Sequence, residues 1–131
     1  MPAGQLILRR SKRRSPTAQI AHQAGVLFVC DEIHGEFVFG GNRYLPAAQV
    51  EGVDPLRTVI LTSPTKTFNL AGAGIAAIIA ADPKVRAKID RAVNDNECCD
   101  VNVFGVAADI AAWNQGEEWL EALLSYLQGN L

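Results

Sequence analysis

Apolar positions form two patterns along the chain, short runs and helical repeats, and these patterns separate predicted strands from predicted helices. Residues 26–30 and 75–80 are continuous apolar runs, and residues 57–62 form a third short run around Val59, Ile60 and Leu61. Runs of this kind are typical of strands buried on both faces of a sheet. A further apolar run, residues 37–39, ends at Gly40, Gly41 and Asn42, which is a turn signal.

Helical periodicity appears before the first of these runs and dominates after the last. Residues 17–24 fit the end of a helix with Gly25 as its C-cap, and Asp82 and Pro83 fit an N-cap and a first helical residue. The pattern predicts helices over residues 84–93, 102–113 and 117–127, with a loop over 94–100. The last helix carries one leucine stripe, formed by Leu120, Leu123, Leu124 and Leu127. Strands followed by helices predict an α/β fold with a mostly parallel sheet flanked by helices.

The length of 131 residues fits one domain or a piece of a larger one. Apolar residues make up 49% and charged residues 20%, which is typical of a globular core. Five of the 12 basic residues lie between Arg9 and Arg14, whereas the 14 acidic residues all lie further along. We therefore divide the chain into a basic, irregular segment, residues 1–18, and a domain, residues 19–131. The acidic domain disfavours nucleic acid as a partner.

Several other classes of protein are disfavoured by the sequence. It contains no apolar run long enough to span a membrane and no signal-peptide pattern, so we expect a cytoplasmic protein without a membrane partner. The three cysteines are Cys30, Cys98 and Cys99. An odd number with two adjacent does not resemble a disulfide framework, and no metal-ligand spacing is present. We expect free thiols and no metal site.

Candidate chemistry lies just after two of the predicted strands. Asp31 follows the first run, and Ser63, Thr65 and Lys66 follow the second. In open α/β sheets, ligands bind beyond the carboxyl ends of strands. A lysine amine and a carboxylate placed there suit pyridoxal 5′-phosphate, because the amine forms a Schiff base with the aldehyde and the carboxylate keeps the pyridine nitrogen protonated. Ser63 and Thr65 offer hydroxyl groups to a phosphate, and His34 offers a donor to the ring's phenolate oxygen.

Each residue also has a structural explanation that the sequence leaves open. A single Ser-x-x-Lys spacing occurs by chance in many proteins. Asp31 with Glu32 fits a strand-end cap, and His34 alone fits a surface histidine. The basic tract fits a solvated tail as well as a small binding patch.

The combination of the two segments is more specific than either alone. Residues 26–34, Val-Leu-Phe-Val-Cys-Asp-Glu-Ile-His, and residues 61–72, Leu-Thr-Ser-Pro-Thr-Lys-Thr-Phe-Asn-Leu-Ala-Gly, resemble the class I/II aminotransferase superfamily of fold-type I. Within it they look most like the cystathionine β-lyase, or C–S lyase, branch. The likeness runs in order from about Gln19 to Leu131 and includes residues 102–105 and 116–120.

The resemblance implies a partial three-layer large domain that binds pyridoxal 5′-phosphate. It implies that Lys66 holds the cofactor covalently and then removes the substrate's α-proton, and that Asp31 pairs with the pyridine nitrogen. His34 would lie near the phenolate oxygen and Ser63 near the phosphate. The substrate would be a small amino acid, and full-length relatives are homodimers.

Three functions are compatible with this resemblance. The first is a β-lyase that releases a thiol, pyruvate and ammonia, and the second is an aminotransferase. The third is an inactive truncated piece of either, because the small domain and the upstream phosphate-binding loop of the family have no counterpart here. Gly74 stands where many aminotransferases carry a phosphate-binding arginine, which favours the lyase. Residues 2–4 resemble the tail of an Asn-Pro segment, and the basic stretch after them departs from the family pattern.

Overall fold

The computed structural model describes residues 15–130. These residues form three strands: β1 (Phe28–Asp31), β2 (Thr58–Thr62) and β3 (Ala77–Ala80). Within the same residues there are five α-helices: α1 (Pro16–Gln23), α2 (Pro64–Thr67), α3 (Pro83–Asp95), α4 (Val103–Gln115) and α5 (Glu117–Gln128). Residues 1–14, which include most of the predicted basic segment, lie outside the described residues. Helix α1 begins at Pro16, within the segment predicted to be irregular. The proposed boundary after residue 18 stays a prediction.

The sheet has the order β1-β2-β3. Strands β1 and β2 are parallel, with Asp31 opposite Leu61, whereas β2 and β3 are antiparallel. The α/β class is confirmed, but the sheet is mixed rather than mostly parallel. Between β2 and β3 the chain forms only the single turn of α2 and a 3₁₀ turn, Ala71–Ala73. A parallel pair normally needs a longer crossover helix to bring the chain back to the strand's starting end.

Capping residues fix the ends of the longer helices close to where the sequence places them. The Asp82 carboxylate accepts hydrogen bonds from the backbone N–H groups of Lys84 at 2.6 Å and Val85 at 3.1 Å, so α3 begins at Pro83 as predicted. Asn102 caps α4 in the same way through the Phe104 N–H. The Gly40–Gly41 turn is also present, with φ of 66° and 70°, values that favour glycine.

The core of the described residues is small. Its buried apolar side chains are Ala18, Val50, Val59 and Ala80. The prediction that all three strands are buried on both faces is wrong here, because Val29 in β1 is 56% exposed and Ile79 in β3 is 52% exposed. The central strand β2 is the one that meets the expectation best, since Thr58 and Val59 are each 5% exposed. Within residues 15–130, no helix is long and apolar enough to cross a membrane.

Candidate active site

The parallel pairing of β1 and β2 brings the two predicted segments to one edge of the sheet. Asp31 is the last residue of β1 and lies opposite Leu61. The next residue, Glu32, donates its backbone N–H to the Leu61 carbonyl at 2.8 Å. Two residues beyond Leu61, the chain leaves the sheet at Ser63 and enters α2, which carries Lys66. Asp31 therefore lies at the carboxyl end of its strand, and Lys66 follows the carboxyl end of the neighbouring parallel strand.

The sequence of α2 explains why Lys66 faces solvent. Ser63 is extended and caps the helix, because its Oγ accepts the Thr65 N–H at 3.1 Å, and Pro64 supplies a first helical residue that needs no donor. Pro64, Thr65 and Thr67 are buried, whereas Lys66 between them is exposed. The single turn ends at Phe68, whose N–H bonds the Pro64 carbonyl at 2.8 Å. This arrangement leaves the lysine amine accessible to a ligand.

Asp31 and His34 are also exposed. The Asp31 Oδ1 atom accepts the Ile33 N–H at 3.1 Å, which turns the chain away from the sheet directly after β1. His34 lies in the following turn, with its ring centroid 6.1 Å from that of Phe37. An exposed carboxylate, imidazole and amine thus come from the two segments that the sequence singled out.

The hydroxyl groups of Ser63 and Thr65 have structural partners. Ser63 is 3% exposed, and its Oγ lies 2.6 Å from the Ile75 carbonyl oxygen and 2.8 Å from the Thr65 hydroxyl. Because a carbonyl oxygen can only accept, Ser63 donates its one proton to Ile75, and the Thr65 hydroxyl donates to Ser63. The Ser63–Ile75 bond closes the loop that carries Lys66. A phosphate would have to replace these bonds, so the predicted phosphate-binding role of both residues stays a prediction.

A side-chain contact that the sequence did not indicate links the two segments. Thr67 is fully buried, and its Oγ1 donates to the Glu36 Oε2 atom at 3.3 Å. Glu36 lies two residues after His34, and Thr67 is the neighbour of Lys66. This hydrogen bond connects the segment of Asp31 and His34 with the segment of Lys66. A buried threonine and a distant glutamate give no local sequence signal.

Glu32, the residue directly after β1, bonds a later part of the chain. Its carboxylate accepts the Ala47 N–H at 2.7 Å, which anchors the chain that passes Tyr44. The Tyr44 ring packs on Gly35, where an added Cβ would lie 2.6 Å from Cζ. Burial, and to a smaller extent the nearby Glu32 carboxylate, raises the pKa of Tyr44. By distance and angle, the Tyr44 hydroxyl makes no hydrogen bond to residues 15–130. These groups support the loop after β1.

The cysteines are free thiols, as predicted. Cys30 is half-buried in β1, whereas Cys98 and Cys99 are exposed. Burial, with a smaller effect of the Glu32 carboxylate, raises the pKa of the Cys30 thiol. In the described part of the chain, no three His, Cys, Asp or Glu side chains come together as a metal-binding group.

Fold and site together define an α/β protein in which an exposed amine, carboxylate and imidazole come from the segments at the carboxyl ends of two parallel strands. The sequence profile of the aminotransferase class I and II family matches residues 16–130. The chain belongs to this family.

Known relatives include lyases and an aminotransferase. The chain is 34% identical over 113 residues to cystathionine beta-lyase PatB of Bacillus subtilis. The aligned residues make up 86% of this chain and 29% of PatB. The fold of this chain matches the PLP-bound C-S lyase of Staphylococcus hominis with a TM-score of 0.74 and 29% identity, over 86% of this chain and 27% of that one. It also matches N-succinyldiaminopimelate aminotransferase of Mycobacterium tuberculosis with a TM-score of 0.70 and 26% identity, over 92% of this chain and 33% of that one. The chain thus spans less than a third of the B. subtilis relative's length.

Proposed function

We propose that this chain binds pyridoxal 5′-phosphate through Lys66 and acts as part of a carbon–sulfur β-lyase of the cystathionine β-lyase type. The observation that carries the proposal is the parallel pairing of β1 with β2. It brings an exposed amine and an exposed carboxylate from separate segments to the same edge of the sheet. The names of the B. subtilis and S. hominis relatives support the lyase within this family.

The described residues fit the cofactor in three respects. Lys66 is exposed, so an aldehyde can reach its amine. Asp31 and His34 are exposed as well, so a carboxylate is free to pair with a protonated ring nitrogen and an imidazole to donate to the ring's oxygen. When bound, pyridoxal phosphate supplies an electron sink for the electron pair left when the substrate loses its α-proton.

In the proposed reaction, this chain's residues move and hold protons. The Lys66 amine takes the proton from the substrate's α-carbon, as a positioned general base. The Asp31 carboxylate stabilises the proton on the ring nitrogen by its opposite charge. In the lyase, the bond between the β-carbon and sulfur then breaks, the thiol leaves with a proton, and hydrolysis of the remainder gives pyruvate and ammonia.

An aminotransferase is the second candidate, and the match to the M. tuberculosis aminotransferase favours it. Lys66 would then return the proton to the cofactor's carbon, and the amino group would pass to a keto acid. A third candidate is a chain that binds the cofactor without turnover, and the turnover assays below distinguish it from the other two. We further propose a small amino acid as substrate, a homodimeric assembly as in the full-length family, and, from the three free thiols, a cytoplasmic location.

The proposal is tested by trapping the cofactor on the lysine. The full chain is incubated with pyridoxal phosphate, reduced with borohydride and digested, and the modified peptides are quantified by mass spectrometry. We expect the adduct on Lys66 in preference to Lys84 and Lys88, two exposed lysines of α3. Lys66→Ala should remove the dominant adduct, whereas the matched control Lys84→Ala should keep it. Equal labelling of all three lysines would refute cofactor binding at this site.

Turnover assays then separate the candidates. Pyruvate released from cystathionine supports the lyase, and amino transfer that depends on a keto acid supports the aminotransferase. A Lys66 adduct without either product supports the chain without turnover.

A further inference from the structure

The turn that carries Lys66 rests on the junction between α4 and α5. Phe68, two residues after Lys66, has its ring centroid 5.4 Å from that of Trp113 in α4, in an edge-to-face arrangement. The same ring lies 5.9 Å from Trp119 in α5. Aromatic pairs at such distances contribute more to stability than the burial of their apolar area alone. Phe68, Trp113 and Trp119 are called the aromatic cluster below.

Glycine allows the junction to approach the turn this closely. At Gly116, which separates the two helices, an added Cβ would overlap Cε1 of Phe68. At Gly105, near the start of α4, an added Cβ would lie 2.7 Å from the Ala73 carbonyl oxygen. Both ends of α4 therefore lie directly against the chain that follows Lys66.

Backbone hydrogen bonds connect the aromatic cluster to the lysine. The Phe68 N–H bonds the Pro64 carbonyl at 2.8 Å, and the Leu70 N–H bonds the Thr65 carbonyl at 2.9 Å. Lys66 lies between these donors and acceptors, so a shift of the Phe68 ring would move the turn from which its side chain extends.

The far end of α5 reaches the segment after β1. The Gln128 Oε1 atom accepts the Gly40 N–H at 3.0 Å, in the loop that follows His34 and Glu36. Helix α5 thus contacts the Lys66 turn through Trp119 at its start and the loop after β1 at its end.

We propose that Phe68 and Trp119 are positioning residues for Lys66, and that α5 holds its amine at a fixed place relative to the segment of Asp31 and His34. This inference rests on the proposed function. The role proposed for both residues is to act through the turn that carries Lys66, which Phe68 contacts directly and Trp119 contacts through Phe68. Small displacements of a reacting group reduce rates strongly, by as much as about 100-fold for a shift of about 1 Å.

The test compares three variants of the full chain in the borohydride trapping experiment. Trp119→Ala removes the ring, Trp119→Phe keeps a ring in the same place, and Tyr126→Ala removes an aromatic side chain of α5 that is 71% exposed. The readout is the ratio of adduct on Lys66 to adduct on Lys84 and Lys88 within the same molecules. The urea midpoint of each variant is measured alongside, so that loss of folding is not mistaken for loss of position.

We expect Trp119→Ala to lower the ratio by about tenfold, for a displacement well under 1 Å, under conditions where the chain remains folded. Trp119→Phe should keep most of the wild-type ratio, and Tyr126→Ala should keep all of it. A wild-type ratio in Trp119→Ala, with or without a lower urea midpoint, would overturn the inference and leave the proposed function intact. No preference for Lys66 in the wild type would overturn the proposed function and the positioning inference together.

Discussion

The hydrogen bond between Thr67 and Glu36 should contribute measurably to stability, although the two residues are far apart in sequence. Thr67 is fully buried, and its Oγ1 donates to Glu36 Oε2 at 3.3 Å. Thr67→Val replaces the hydroxyl by a methyl of similar size, so it removes the donor without opening a cavity. Thr67→Ser keeps the donor and removes a buried methyl instead.

Thr67→Val and Thr67→Ser are expected to lower the free energy of unfolding by similar amounts, for different reasons. Hydrogen bonds to charged groups contribute about 1.5–3 kcal/mol, but the 3.3 Å distance exceeds the ~2.5–2.7 Å of strong bonds to carboxylates. Glu36 is also half-exposed, so we expect Thr67→Val to cost about 1 kcal/mol. Thr67→Ser loses one buried methyl, again worth about 1 kcal/mol. Single variants therefore cannot separate the hydrogen bond from packing.

A double-mutant cycle with Glu36→Ala separates them. Urea unfolding is followed through the emission of Trp113 and Trp119, the two tryptophans of the chain. We expect a coupling free energy of about 1 kcal/mol between Thr67→Val and Glu36→Ala, because the second change has nothing left to break. Thr67→Ser should cost the same with either residue at position 36. A coupling under about 0.3 kcal/mol for Thr67→Val, within ordinary additivity, would refute the hydrogen bond as a link between the segments.

Two further predictions concern titratable groups. The Val85 and Lys84 N–H groups lower the pKa of Asp82, so its contribution to stability is present above the pKa of the unfolded chain and is lost as the pH falls through the folded value. Asp82→Ala should remove this part of the acid dependence of the urea midpoint, and Asp95→Ala should leave it; an unchanged profile for Asp82→Ala would contradict the cap. Burial and Glu32 raise the pKa of Cys30, so at mildly alkaline pH iodoacetamide should label it more slowly than Cys98 and Cys99, as peptide mass spectrometry can measure. Glu32→Gln should speed its labelling, and faster labelling of Cys30 than of the exposed pair would contradict this assignment.

The parts of the fold that the sequence predicts depend on local signals. The Asp82–Pro83 pair marks the start of α3 because a capping carboxylate and a proline act within a single turn. The apolar runs mark β1 and β2, and the polar residues directly after them mark the edge of the sheet where the candidate site lies. For these features, the neighbours in sequence are also the neighbours that decide the structure.

Strand direction and support for the site depend on distant residues. The apolar run of β3 does not show that it pairs antiparallel with β2, since parallel and antiparallel buried strands share the same residue types. Phe68 could not be assigned to Trp113 and Trp119 without the packing of α4 and α5, because the cluster joins three separate elements. The exposure of Val29 and Ile79 could not be predicted from the sequence either. An apolar run indicates that a strand is suited to burial, but it does not show whether other elements cover that strand.

Ser63 shows how one spacing can carry two meanings. Its three-residue separation from Lys66 suggested a phosphate ligand beside a reactive amine. In the structure, Ser63 is an N-cap, Pro64 and Thr65 follow, and Lys66 is the third residue of the helix. The same spacing therefore follows from capping geometry whether or not a phosphate is bound. What distinguishes Lys66 is its exposure between buried neighbours. The Ser63–Ile75 and Thr67–Glu36 hydrogen bonds tie the turn to other parts of the chain on both sides of the lysine.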